Sequence, residues 1–213
     1  MRTHLYVTEF PTSRLYTVDP ATGSAGLVGP INVPQVTDIA FHGPTLYAIT
    51  FGRLLRLDPD TGAVLWTGTG TTGGNTNGLA VAEDGTIYAG NGGQLMTINP
   101  TNGQGTVVGS FGGGLGSSGD LVFDANGTLY GALQDSSFVD VLARIAPSGA
   151  ATVIGPIGIP NVWGLAIHCC RFFGCTTKGE LLSINAATGQ GTVIGKQLPP
   201  FQMGGMSARP CCC

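Results

Sequence analysis

Leu15-Tyr-Thr-Val-Asp-Pro-Ala-Thr-Gly23 is the stretch that decides the fold, because the chain repeats it four more times. The copies are Leu54-Leu-Arg-Leu-Asp-Pro-Asp-Thr-Gly62, Leu95-Met-Thr-Ile-Asn-Pro-Thr-Asn-Gly103, Leu142-Ala-Arg-Ile-Ala-Pro-Ser-Gly149 and Leu181-Leu-Ser-Ile-Asn-Ala-Ala-Thr-Gly189. The leading leucines stand 39, 41, 47 and 39 residues apart. In each copy an alternating run ends in a turn, where proline presets φ and glycine takes the left-handed position. The Asp or Asn side chain is placed to bond amides further along that turn, so these residues are read as turn formers rather than ligands.

Working outward from the third copy, Gly78–Ala82, Thr86–Ala89, Gln94–Ile98 and Gly105–Val108 read as four short strands, separated by turns rich in Gly, Asn, Asp and Pro. Four strands at a period near forty residues define a β-propeller blade. The innermost strand recurs as Asp38-Ile-Ala-Phe41, Gly78-Leu-Ala-Val81, Asp120-Leu-Val-Phe123, Gly164-Leu-Ala-Ile167 and Gly205-Met-Ser-Ala208. The last copy has no second strand after it, whereas Thr3-His-Leu-Tyr-Val7 resembles Thr45-Leu-Tyr-Ala48 and Thr128-Leu-Tyr-Gly131. The expectation is therefore an all-β, closed five-bladed propeller, one domain over residues 1–213, with four antiparallel strands per blade. Both termini share the closing blade, built from residues 1–30 plus 205–209. Such a closure leaves no free sheet edge at the seam. Small inner-strand residues (Ala40, Ala80, Ala166, Ser207) fit the narrow centre of a small ring.

The chain resembles five-bladed β-propellers along its whole length. Its repeat, Leu-Tyr-x-Val/Ile-Asp-Pro-x-Thr-Gly followed by a Val-Val-Gly or Val-Ile-Gly strand, looks like that of uncharacterised secreted bacterial propellers. It is also similar to the quinoprotein-type repeat, whose fourth strand carries a tryptophan; here only the second copy does, at Trp66. Five blades are too few for the eight-bladed quinoprotein enzymes, so no quinone or other cofactor is expected.

Composition narrows the function. Charged residues make up 10% of the chain and the net charge is −3, which gives no footprint for nucleic acid or an anionic membrane. No apolar run is long enough for a membrane span, and the first residues alternate like a strand rather than forming a signal peptide. Six cysteines with low charge point to an extracellular or cell-surface setting. Asn126-Gly-Thr128 is a glycosylation sequon at a turn.

The face where the innermost strands begin collects the distinctive side chains: Phe51, Asn77, Phe138, Asn161, Trp163 and, at the mouth, Asp38 and Asp120. Aromatics interleaved with amides and carboxylates suit glycan recognition, the ring stacking on a sugar face while the polar groups bond hydroxyls. The alternative is that Trp163 and the phenylalanines plug the channel. The favoured function is a non-enzymatic binding module for glycans; the rival is a structural or self-associating subunit. A five-bladed glycosidase ranks below both, since the positions matching Asp38 and Asp120 in the other blades are Gly78, Gly164 and Gly205. No metal is expected.

On the opposite face, Cys169 and Cys170 occupy a hairpin, Cys175 follows in the next strand, and Cys211, Cys212 and Cys213 end the chain. No Cys-x-x-Cys spacing supports zinc, so a disulfide between the Cys169/Cys170 pair and the tail is the reading, with connectivity open. Truncation after Pro200 removes the inner strand of the closing blade. Scanning calorimetry of that variant is expected to show a melting point lower by about 10 °C or more, and an unchanged melt disproves the shared blade.

Overall fold

The computed structural model describes residues 4–196 and 202–209 and arranges them as five four-stranded antiparallel sheets. The chain starts with β1 (Leu5–Phe10), β2 (Arg14–Val18) and β3 (Ala25–Pro30). The second blade holds β4 (Val36–His42), β5 (Thr45–Thr50), β6 (Leu54–Leu57) and β7 (Val64–Thr67). The third holds β8 (Thr76–Val81), β9 (Ile87–Asn91), β10 (Gln94–Ile98) and β11 (Gly105–Ser110). The fourth holds β12 (Gly116–Phe123), β13 (Leu129–Gln134), β14 (Asp140–Ile145) and β15 (Ala151–Pro156). The fifth holds β16 (Val162–His168), β17 (Arg171–Thr176), β18 (Glu180–Ile184) and β19 (Gly191–Lys196). The last strand, β20 (Gln202–Ala208), returns to pair with β1, giving the order β20-β1-β2-β3.

The seam falls where the sequence put it, with Leu5 opposite Ala208, Tyr6 opposite Ser207 and Val7 opposite Met206. Thr3 lies outside the described residues. The inner strands start earlier than the sequence reading had them, because each carries a bulge ahead of the register expected to be its start. Pairing slips between Val36 and Asp38, Thr76 and Gly78, Ser117 and Leu121, and Val162 and Gly164. A bulge re-aims side chains locally, here at the residues nearest the ring axis.

Every sheet packs against a neighbour on each face, so the core is divided into five hydrophobic clusters, one between each pair of neighbouring blades. Period-two alternation assigns residues to them. Leu5 and Val7 pack toward the fifth blade with Phe173 and Leu181, while Tyr6 packs toward the second with Ile39 and Phe41. Ala40 faces the third blade with Leu79, and Ala80 faces the fourth with Leu121. Leu142 of the fourth blade meets Leu165 and Leu182 of the fifth.

The repeated turn also joins blades. The glycine near the end of each fourth strand lies against the Asp-Pro-x-Thr-Gly-type turn of the following blade. A Cβ at Gly29 would run into the Thr61 carbonyl, at Gly68 into Asn102, and at Gly109 into Ser148. At Gly155 it would meet Thr188, and at Gly195 it would meet Thr22. The two halves of the repeat wording thus recognise each other across the interface, and the obstacle is backbone that a rotamer change cannot clear. Gly109→Ala is expected to destabilise the protein by about 1–3 kcal/mol. Gly52→Ala, where a Cβ meets nothing within 4 Å, serves as a near-neutral control in the same denaturant titration.

Candidate functional site

Five inner strands crowd the axis, each with one edge that has no neighbouring strand. Their edge amides need acceptors, since a buried N–H without one costs about 1–3 kcal/mol. Two aspartates supply them. Asp38 accepts hydrogen bonds from its neighbour Ile39 N through Oδ1 (2.7 Å) and from Leu79 N of the next blade through Oδ2 (2.6 Å). Asp120 Oδ2 accepts from Leu165 N (2.8 Å) of the next blade and from Met206 N (3.0 Å) of the closing blade. Both side chains are fully buried. The sequence reading set these acids at an open mouth; the structure corrects this, placing them inside a filled axis. The matching positions are glycine because no side chain fits there: a Cβ at Gly205 would collide with Asp38.

Asp38 and Asp120 also meet each other, and this explains an otherwise orphaned atom. Asp120 Oδ1 is buried and receives no amide. Burial, followed by the charge of Asp120, holds the Asp38 carboxyl well above the ordinary carboxylate range. Burial pushes Asp120 up to about 7, while its hydrogen bond with Asp38 pulls it back down. Asp38 therefore keeps its proton and donates it to Asp120. Two like charges side by side in a dry axis would be far costlier than one shared proton.

Further polar links complete a belt around the ring. Thr37 Oγ1 donates to Thr76 O (3.1 Å), and Asn77 Nδ2 donates to Ser117 O (3.1 Å). Asp140 is buried; it accepts from Ser118 Oγ and from Val162 N (3.1 Å). Cys175 is a fully buried free thiol donating to Gly204 O (3.3 Å), and not a disulfide partner. Phe41 N donates to Ser207 Oγ (3.1 Å). Each of the five blade interfaces thus carries at least one link.

The predicted aromatic face is divided. Phe10 stacks edge-on against Phe51 (centroids 6.3 Å) and Trp163 (5.3 Å), bridging the two rings at the start of the inner strands. Asn161 sits exposed in the loop before β16, with φ 62°. Phe138, 80% exposed, stands apart on the β13–β14 loop. The sequence reading therefore gathered one cluster where the structure has three rings joined through Phe10 and a lone ring. Trp66 packs under the Arg56 guanidinium, 4.7 Å from its ring centroid, as a blade-side contact.

The large cavity lies on the other face. A funnel of about 920 Å³ opens where the inner strands end, lined by Ile39, Leu79, Leu121, Leu165 and Met206 at its floor. Its walls carry Ala40, Ala80, Ala166 and Ser207, the small residues read from sequence as fitting a narrow centre; here they widen the funnel. That small-residue register was the available signal. Cys169 lies at the mouth, in the two-residue hairpin Cys169–Cys170, where both residues have positive φ (45° and 61°) as a type I′ turn requires. Cys211, Cys212 and Cys213 lie outside the described residues. Among the described residues no cluster of three or more His, Cys, Asp or Glu side chains is placed to hold a metal, and no helix is long and apolar enough to cross a membrane. The quinone associated with quinoprotein-type repeats does not fit the axis, where even a single Cβ at Gly205 finds no room.

Residues 1–132 match the PQQ-type repeat family described as outer membrane protein assembly factor BamB, and the chain belongs to that family. No curated protein sequence matches it. Among solved structures, a chain of the nidogen/laminin complex is similar with TM-score 0.64 at 12% identity, covering 99% of this chain and 100% of that one. A symmetrical protein whose de novo evolutionary emergence was shaped by folding constraints gives TM-score 0.60 at 14% identity, over 91% of this chain and 93% of that one. A protein of unknown function from Bacteroides thetaiotaomicron VPI-5482 also gives 0.60, at 13% identity, over 91% of this chain and 55% of that one. At these identities the likeness is one of fold alone.

The buried pair makes the axis sensitive to pH. Asp120, raised by burial to about 7, holds a proton in the folded state at a pH where an unfolded carboxylate, near 3.8, releases it. That stabilisation is complete below 3.8 and is lost as pH rises through about 7. Melting temperature is therefore expected to fall between pH 5 and pH 8. In Asp120→Asn this slope should flatten. A wild-type slope that persists in the variant removes Asp120 as its cause.

Proposed function

We propose that the protein is a non-enzymatic binding scaffold, working outside the cytoplasm, that holds extended segments of other proteins against its blade edges. The observation that carries this reading is the chemistry of the five outer strands. β3, β7, β11, β15 and β19 each leave one edge unpaired, and together they carry a single charged side chain, Lys196. Each also exposes an aliphatic residue: Leu27, Leu65, Val107, Val153 and Val193. Edge strands are ordinarily protected by charges, and an uncharged edge with an apolar side chain suits main-chain pairing with an added strand. The family description names an assembly factor for outer-membrane proteins. Proteins of that membrane are built from strands of alternating apolar residues, the client chemistry such edges would take. The absence of catalysis is part of the proposal, supported by two axial carboxyls already held by amides. The setting rests on low charge and the cysteines, of which Cys170 is disulfide-bonded.

The test uses a soluble peptide of about ten residues alternating valine with threonine and lysine, and a copy N-methylated on one edge. Binding of the first alone is expected, with slowed amide exchange in Gly105–Ser110 or Ala151–Pro156 and weakening by Val107→Lys and Val153→Lys. No binding, or equal binding of the methylated copy, overturns the reading. Self-association through the same edges would appear as dimers in native mass and would move the reading to the structural subunit.

Glycan recognition is a second reading, and the exposed ring of Phe138 favours it. The ring stands on a loop fixed by Asp135 Oδ1, which accepts from Ser137 N (2.8 Å) and Val139 N (3.0 Å). Loss of glycan-array binding in Phe138→Ala at unchanged melting temperature would support this reading, and an array with no hits would end it.

A further inference from the structure

The funnel is a second site, on a surface distinct from the outer edges. Its volume of about 920 Å³ lies within the range of small-molecule sites, which are concave, mainly apolar and provided with a few polar groups. Leu79 and Met206 stand at its floor, and Phe41, Phe123 and Ile167 toward its rim. The floor residues separate the funnel from the axial acids, so the interior presents no charge.

The mouth is different. Glu83, Asp84 and Asp124, from the neighbouring third and fourth blades, line it, and the one basic side chain among the lining residues is His42. The Asp84 and Asp124 carboxylates each commit Oδ1 to their own turn, Asp84 to Thr86 N (2.9 Å) and Asp124 to Asn126 N (2.9 Å) and Thr128 N (2.8 Å). These bonds fix both carboxylates in place. His42 Nε2 donates to the Glu83 carbonyl (3.2 Å), tying the second blade to this loop. Arg209 reaches over Phe41 but is paired with Asp60 (3.0 Å), which offsets its charge. An apolar funnel ends in a negative mouth.

We propose that this funnel binds an amphiphilic cation: an alkyl or aryl body seated among the inner strands, with an amine or quaternary ammonium at the Glu83, Asp84 and Asp124 carboxylates. The apolar body would supply the affinity by leaving water. The mouth would select the headgroup, rejecting an anion of equal length by like-charge repulsion.

The test uses the intact protein and uncharged N-phenyl-1-naphthylamine as reporter. The dye is expected to brighten with one-to-one stoichiometry. Dodecyltrimethylammonium, kept below its micelle concentration, should displace it at a concentration about tenfold or more lower than dodecyl sulfate. Val122→Trp, which places a bulky ring on the funnel wall, should abolish dye binding while the protein stays folded. Glu83→Lys, an exposed change, should shrink the headgroup preference by about threefold, and added salt should shrink it in the wild type. A dye that does not bind, equal displacement by both headgroups, or full binding in a folded Val122→Trp protein overturns the proposal. If Val122→Trp does not fold, an unchanged preference in Glu83→Lys overturns it instead. Because the outer edges lie elsewhere, peptide binding there succeeds or fails independently.

Discussion

The structure depends on how a ring of five sheets disposes of five unpaired inner edges. Their amides are buried, so each must find an acceptor or cost a large fraction of a domain's net stability. Asp38 and Asp120 meet this demand by bonding across to Leu79, Leu165 and Met206, so two residues link all five blades. Two carboxyls fill the space that five side chains would contest, and glycine at Gly78, Gly164 and Gly205 follows from that crowding. The shared proton is a consequence too. Two anions could not both remain charged there, and Asp120 Oδ1 would otherwise have no donor.

At the circumference, the same repeat solves a different problem. Neighbouring sheets must approach closely enough to bury aliphatic side chains between them. The fourth-strand glycines allow this by letting the next blade's turn lie directly on their backbone. A stretch that looks like turn chemistry in isolation is therefore also interface chemistry. This is why the Thr-Gly ending of the turn and the glycine that closes the outer strand travel together in the repeat. Inner belt and outer joints hold each interface at two radii, leaving the outer strand edges and the funnel as the surfaces with unmet chemistry.

Those two surfaces differ in what they can recognise. The outer edges present main-chain groups and single aliphatic side chains, a pattern suited to backbone pairing with little dependence on sequence. The funnel presents shape and charge, a pattern suited to a small molecule. A propeller scaffold does not choose between such functions, which reside in its edges and loops. Membership of an assembly-factor family adds weight to the first surface and says nothing of the second.

The repeat by itself determined the blade count, the strand order and the closure between Tyr6 and Ser207. Those features follow from local alternation, turn chemistry and the count of copies, all of which are written along the chain. It also determined that Asp38 and Asp120 share a register while three glycines take the others. What that register does was decided only by the tertiary structure, because burial and hydrogen-bond partners depend on strands up to 86 residues away, as with Asp120 and Met206. The same holds for Phe10, Phe51 and Trp163, which come from three blades and meet only when the ring closes. The alanines of the inner strands are legible as small but not as the wall of a funnel. Whether a small side chain closes a gap or opens one depends on what stands opposite, and sequence spacing does not encode that distance.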